Sequence, residues 1–235
     1  MPTLPDVMIL CGGLGTRFRA VTTDIPKVLA PVGGIPILDR IIDFFSQSGY
    51  RRVILCTGYM SDAVRKHYHG SPYASSIVIS EEPEPRGTAG AVKYAEAHIT
   101  TDPFFVVNGD SYCDLDLSSF LAFHQAKPDG LVSMAVSRRD ERSDTGTVNL
   151  DEASSKVMGF YEKQQAERGR YMNAGYYIFN RRVLSHIPES QVVSLEYDLF
   201  SELAGKGLYG FVTSSRSIDI GTPERYEEAS RVLSE

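Results

Sequence analysis

Apolar residues along this chain come in two rhythms. Short unbroken apolar runs alternate with segments whose apolar positions recur at helical spacing, one face every three or four residues. Residues 7–10 (Val-Met-Ile-Leu) form the first run and predict a buried strand. Ile37, Leu38, Ile41, Ile42 and Phe45 then mark a helix face that ends at Gly49. The same alternation predicts strands over 52–57, 77–79, 104–107 and 131–137. Between them, a short helix starts at a Ser61 cap, Ala91, Val92, Ala95 and Ile99 share a helix face, and Ser118 caps a helix reaching Ala126. Unbroken apolar strands separated by helices predict an α/β fold, with a mostly parallel central sheet covered on both faces.

The rhythm changes after residue 138. Strands over 146–150 and 157–163 flank the turn at 151–155 and predict a small β-hairpin elaboration. Further strands are predicted over 172–180, 208–212 and 217–220, with a helix over 195–203 and a last one over 224–233 opened by Pro223. No repeat or low-complexity linker divides the chain. A single domain over 1–235 is expected, with 1–137 and 138–235 as its halves.

The first strand leads into Leu10-Cys11-Gly12-Gly13-Leu14-Gly15-Thr16-Arg17, and Pro26-Lys27 follows. Closely spaced glycines let the backbone approach a ligand and let successive N–H groups point one way, as a phosphate chain requires. Thr16 adds a hydroxyl, and Arg17 and Lys27 add fixed cations. A dinucleotide fingerprint is excluded because Phe18 stands where its last glycine belongs, and no P-loop pattern occurs. Leu10, Gly12, Gly13, Gly15, Thr16 and Arg17 are therefore expected to line a polyphosphate site.

Composition narrows the partners. A net charge of −6 leaves no basic surface for nucleic acid, so positive charge must be concentrated locally at Arg17, Lys27 and Lys163. Hydrophobic residues at 42% and charged residues at 23% describe an ordinary globular chain of 235 residues. The three cysteines follow no metal pattern, and their odd number argues against a disulfide scaffold. Reduced thiols suit the cytoplasm. No run approaches the roughly 18 apolar residues of a membrane span, and the start of the chain has no signal-peptide pattern. A homo-oligomer is compatible with the sequence, which does not specify one.

Several polar residues sit where α/β sheets bind ligands, just beyond the carboxyl ends of strands. Asp110, in Asn108-Gly109-Asp110, and Asp219, before Gly221, are candidate Mg²⁺ ligands, since Mg²⁺ takes one or two carboxylates plus phosphate oxygens and water. Glu82 precedes Gly87-Thr88-Ala89-Gly90, where Gly87 and Thr88 open a helix and, with Glu82, are expected to bind the nucleotide. A carboxylate only accepts hydrogen bonds, and guanine offers two adjacent donors, so Glu82 leans toward guanine over uracil or thymine. Lys163, after Glu162, is placed to hold a second phosphate, and Asn173 and Glu196 to bind sugar hydroxyls. Neither the histidines nor Ser111 and the cysteines sit in a pattern that supports nucleophilic catalysis.

Taken together, Gly12-Gly13-Leu14-Gly15-Thr16-Arg17, Pro26-Lys27, Glu82 with Gly87-Thr88-Ala89-Gly90, Asn108-Gly109-Asp110, Glu162-Lys163, Asn173-Ala174-Gly175, Ser194-Leu195-Glu196 and Asp219-Ile220-Gly221-Thr222 resemble the sugar-nucleotidyltransferase family. The resemblance runs almost end to end. It implies a Rossmann-like nucleotidyltransferase fold, a nucleotide-binding first half, a sugar-phosphate-binding second half and a need for Mg²⁺. The implied reaction joins a nucleoside triphosphate, here GTP, to a sugar 1-phosphate and releases pyrophosphate. Arg17, Lys27 and Asp110 would be catalytic, and Asp110, Gly146, Glu162, Lys163, Asn173 and Glu196 would face the sugar phosphate. The Gly-Thr-Ala-Gly form is similar to guanylyltransferases acting on manno-configured acceptors, with D-glycero-α-D-manno-heptose 1-phosphate favoured over mannose 1-phosphate. A uridylyl- or thymidylyltransferase and a non-catalytic nucleotide-sugar-binding subunit are the alternatives. Thr145, where relatives often carry an aromatic, and Phe18, where leucine is usual, depart from the pattern.

Overall fold

The computed structural model describes residues 4–13, 18, 24–139, 146–161 and 169–234. In chain order these form β1 (Val7–Leu10), β2 (Pro31–Val32), β3 (Ile35–Pro36), α1 (Ile37–Gln47), β4 (Val53–Thr57), α2 (Ser61–Tyr68), β5 (Ile77–Glu81), α3 (Gly87–Tyr94), β6 (Phe104–Asn108) and β7 (Ser111–Cys113). Then come α4 (Leu117–Gln125), β8 (Val132–Arg138), β9 (Thr147–Asp151), β10 (Lys156–Tyr161), β11 (Tyr171–Phe179), α5 (Phe200–Leu203), β12 (Leu208–Thr213), β13 (Ser217–Asp219) and α6 (Pro223–Val232).

The apolar runs are buried on both sides because strand residues point alternately to opposite faces. Val7, Ile9, Phe105 and Val107 enter one core layer, where Ile37, Leu38, Ile41, Ile42 and Phe45 of α1 cover them. Met8, Phe104 and Val106 enter the other, beneath Ala89 and Val92 of α3 and Phe200 and Leu203 of α5. Each fully buried Ile, Leu or Phe contributes roughly 1.5–3 kcal/mol. Both layers draw on both halves of the chain, since Tyr176 and Ile178 of β11 join the first and Tyr177 and Phe179 the second.

Among the described residues the main sheet has the order β5-β4-β1-β6-β11-β8-β12-β10-β9. The first four strands are mutually parallel, as expected. The expectation of a mostly parallel sheet fails beyond β6: β11 lies antiparallel between β6 and β8, and β10 lies antiparallel between β12 and β9. The sheet is mixed. A strand buried on both faces reads as one apolar run whichever way it points, so its direction is set by the connections. The hairpin β9–β10 is present, and β9 also pairs with the first residues of β11. Strands β11, β8, β12, β10 and β9 thus close a ring of pairings. The ring needs β11 to change partners midway, and its register shifts between Asn173 and Tyr177, where Gly175 has a φ of +79°.

Two caps differ from expectation. Asp116, not Ser118, caps α4, accepting from the Ser119 amide at 2.9 Å. Ser61 is the first residue of α2 and not its cap; its hydroxyl pairs with that of Thr57 at 2.9 Å. The segment over 195–203 opens with a π-helical turn (Leu195–Leu199) before α5. Thr222 caps α6 ahead of Pro223. Among the described residues, no helix is long and apolar enough to cross a membrane.

One buried group makes the fold acid-sensitive. His124 of α4 is 5% exposed and shares a 2.9 Å hydrogen bond with Ser133 of β8. Burial pushes its imidazole down to about 4. Folding favours its neutral form more strongly than the unfolded chain does, so stability is complete above the ordinary histidine range and falls as pH drops from about 6.5 toward 4. The loss approaches about 3 kcal/mol at the acid end. Urea unfolding at pH 7 and pH 4.5 should show it, and a non-titrating His124→Gln variant should lose less stability over that interval.

Candidate active site

A cavity of about 490 Å³ opens at the carboxyl ends of β1, β4 and β6. Gly12 and Gly13 leave part of its wall bare, next to Leu10 and Cys11 at the end of β1. Glu82 follows β5, Asp110 follows β6, and Lys27 comes from the turn Lys27–Leu29 after Pro26. Gly87, Thr88 and Ala91 of α3 and Glu196 of the π-helical turn line it as well. Nine of the expected site residues, Leu10, Gly12, Gly13, Lys27, Glu82, Gly87, Thr88, Asp110 and Glu196, therefore share one cavity.

The remaining expected residues are not among that lining. Gly15, Thr16, Arg17, Glu162 and Lys163 fall outside the described residues. Gly146 and Asn173 are not on the cavity wall; the Gly146 carbonyl accepts from the Asn173 amide at 2.9 Å. The Asn173 side chain donates to the Tyr177 hydroxyl at 2.7 Å and accepts from the Gly175 amide at 3.1 Å, which serves the bulge in β11. Cys11, Phe18, Val28, Cys56, Pro85, Asn108 and Gly221 line the cavity without having been singled out as site residues. Most are apolar or small, and only Cys11, Cys56, Asn108 and Gly221 are marked by a place at or just past a strand end.

Lys27 and Asp110 form the charged centre, Nζ to Oδ2 at 2.5 Å. Burial would raise the Asp110 carboxyl, but the Lys27 ammonium and hydrogen bonds from Lys27 and Ser111 outweigh it and hold it below the usual carboxylate range. Asp110 thus stays ionised to a lower pH than an ordinary aspartate. The Lys27 ammonium also lies 5.9 Å from the centre of the buried Phe18 ring. The short ladder of β7 and β13 pairs Ser111 with Asp219, and the Ile220 amide donates to the Asp110 carbonyl at 3.1 Å. The Asp110 and Asp219 segments therefore run side by side. The Asp219 carboxylate itself accepts from Arg225 at 2.8 and 2.9 Å and from the Gly221 amide, and it lines a separate small cleft.

Glu82 carries the opposite electrostatics. Its Oε2 is buried with no hydrogen-bond partner among the described residues. Burial raises its carboxyl above the ordinary value, and the Arg86 amide and guanidinium pull it only part of the way back. An unpaired buried carboxylate oxygen in a cavity is costly unless a donor arrives. Burial also pushes the Cys11 and Cys56 thiols well up, so neither supplies a ready thiolate.

Among the described residues, no three His, Cys, Asp or Glu side chains gather into a metal cage. Asp110, one of three carboxylates on the cavity wall with Glu82 and Glu196, still fits a hard cation that keeps phosphate oxygens and water as its remaining ligands.

Gly87 is required by its surroundings. It has a φ of +74°, and an added Cβ would lie 2.4 Å from the Val193 carbonyl oxygen. Gly87→Ala should destabilise the protein by at least about 2 kcal/mol, from left-handed strain plus the clash. A lowered thermal midpoint together with weakened nucleotide binding is the expected readout.

Residues 6–235 match the Nucleotidyl transferase family. The chain belongs to this family. It is 34% identical over 230 residues to D-glycero-alpha-D-manno-heptose 1-phosphate guanylyltransferase of Aneurinibacillus thermoaerophilus, covering 97% of this chain and 98% of that one. It is 33% identical over 232 residues to mannose-1-phosphate guanylyltransferase of Mycobacterium tuberculosis, covering 97% of this chain but 64% of that longer relative. The fold superposes with a TM-score of 0.83 on a crystal structure of HddC from Yersinia pseudotuberculosis complexed with GMP-PN, at 32% identity, covering 98% of this chain and 100% of that one. The α/β architecture of this nucleotidyltransferase is shared with that neighbour.

Proposed function

We propose that this protein transfers a guanylyl group from GTP to a sugar 1-phosphate, giving a GDP-sugar and pyrophosphate. The observation that carries the base assignment is the unpartnered Oε2 of Glu82, set in the same cavity as the Lys27–Asp110 pair. Two acceptor oxygens suit the adjacent ring N–H and amino donors of guanine, whereas uracil and thymine present one donor between acceptors. The favoured acceptor is D-glycero-α-D-manno-heptose 1-phosphate. Its support is the similarity to the heptose enzyme, matched along nearly all of both chains. Mannose 1-phosphate is the second reading, supported by the similarity to the mycobacterial relative.

An oxygen of the sugar phosphate attacks the α-phosphorus of GTP. The bond from that phosphorus to the β-bridging oxygen breaks, and pyrophosphate leaves with the electron pair. A phosphate monoester is already mostly dianionic at pH 7, so no general base is needed. Catalysis then rests on positioning two polyanions and neutralising the charge between them. Lys27 serves the triphosphate, Arg17 the leaving phosphates and Lys163 the sugar phosphate. Asp110 would hold Mg²⁺, joined by Asp219 if its carboxylate leaves Arg225, and the ion when bound supplies charge neutralisation at the phosphates. Glu196, with Glu162, serves the sugar.

Pyrophosphate release measured over GTP, ATP, CTP, UTP and dTTP, each with heptose, mannose and glucose 1-phosphates, tests the reading. GTP with a manno-configured acceptor should be fastest. Preference for another triphosphate, or no turnover with any pair, would overturn it.

A further inference from the structure

Glu196 lines the cavity, but it does not hold itself there. Its Oε2 accepts two hydroxyl donors, Thr88 Oγ1 at 3.0 Å and Ser194 Oγ at 3.0 Å. Both hydroxyls are themselves fixed by backbone donors. Thr88 Oγ1 accepts from the Leu195 amide at 2.7 Å, and Ser194 Oγ accepts from the Glu196 and Tyr197 amides at 3.1 Å each. With those amides on their lone pairs, the two hydroxyl protons are directed at Glu196. Thr88 belongs to the first half of the chain, at the start of α3, and Glu196 lies 108 residues further on. The backbones around them are also joined: the Ala89 and Gly90 amides donate to the Val193 carbonyl at 2.9 and 3.2 Å, and the Val193 amide donates to the Arg86 carbonyl at 2.9 Å.

We propose that Thr88 is a positioning residue for the acceptor: its hydroxyl orients the Glu196 carboxylate so that Oε1 faces the hydroxyls of the sugar 1-phosphate. This rests on the proposed function, and it moves Thr88 from the nucleotide to the acceptor side of the site. Among the described residues Oε1 makes no hydrogen bond, so one oxygen is anchored and the other remains to accept from substrate. A carboxylate tethered at one oxygen has lost the rotamer freedom that would otherwise oppose binding. The same contact ties the α3 start, beside Glu82 and Pro85, to the acceptor half of the cavity.

The test is a steady-state comparison of wild type, Thr88→Val and Thr88→Ser, varying GTP and sugar 1-phosphate separately. Valine keeps the shape and removes the donor to a charged acceptor. Its expected effect is a KM for the sugar 1-phosphate raised roughly tenfold. The KM for GTP should stay within about twofold, and Thr88→Ser should restore the acceptor KM. A Thr88→Val variant whose KM rises for GTP alone would overturn the assignment, as would equal losses of kcat and thermal stability in both variants. A wild type that turns over no sugar 1-phosphate would instead overturn the proposed function, and the assignment with it. An active wild type with those contrary variants overturns the assignment alone.

Discussion

Asp110→Asn should lower kcat for pyrophosphate release roughly a thousandfold, the upper range for removing one preorganised electrostatic group. Asparagine keeps the shape of the side chain, but its single amide oxygen can accept from only one of Ser111 and Lys27, which donate to different carboxylate oxygens at 3.1 and 2.5 Å. It removes the negative charge. That charge does two things in the proposed reaction. It holds the Lys27 ammonium at the mouth of β6 before substrate arrives, and it would anchor the cation that screens the phosphates. An amide does neither well. Because neighbouring charge and hydrogen bonds depress the Asp110 carboxyl, the wild type keeps this group ionised at neutral pH. By linkage, its stabilising pair is present above about pH 4 and is lost only as pH falls through the depressed value. The kinetic defect of the variant should therefore be flat across neutral pH. The pair is partly exposed, so the thermal midpoint should move little. Near-normal kinetics would remove Asp110 from the reaction. A lost Mg²⁺-dependent increase in GTP-induced thermal stabilisation gives a second readout, independent of turnover.

Much of this site was visible as spacing along the chain, and the reasons are local. A strand that ends in glycine or a carboxylate releases that residue at one rim, so Leu10, Gly12, Glu82 and Asp110 converge once the parallel strands are recognised. Helices legible by periodicity stand where expected, as α1 and α6 do. What stayed hidden depends on contacts distant in sequence. Nothing in the run Tyr171–Phe179 shows that β11 points against its neighbours, because both of its faces are apolar either way. The pairing of β7 with β13 joins segments about a hundred residues apart, and so does the Thr88–Glu196 bond. Asp219 reads as a free carboxylate at a strand end, yet Arg225 meets it one helical turn into α6. Ser118 and Asp116 are both good caps, and only the geometry at Ser119 distinguishes them.

Glu82→Gln should reverse the base preference, with kcat/KM for GTP falling about a hundredfold and that for UTP or dTTP rising. The carboxylate offers guanine two acceptors. Glutamine offers one acceptor and sets an N–H₂ against one of the guanine donors, so a hydrogen bond is both lost and opposed. For uracil or thymine the same amide matches a donor beside an acceptor. A pH dependence separates this role from a merely structural one. Burial raises the Glu82 carboxyl, so it takes up a proton at a higher pH than an ordinary glutamate. As pH falls toward that raised value the wild type loses acceptors, and its KM for GTP should climb while Glu82→Gln stays flat. The stability effect has the opposite sign. A raised value in the folded state means that folding disfavours the ionised form, so the free protein loses stability as pH rises through it. Glutamine removes that burden, and Glu82→Gln should be at least as thermostable as wild type at neutral pH. A variant more stable yet far less selective is what an unpartnered carboxylate kept for a ligand produces. A variant that is destabilised with its guanine preference intact would mean that Glu82 supports the fold and reads no base.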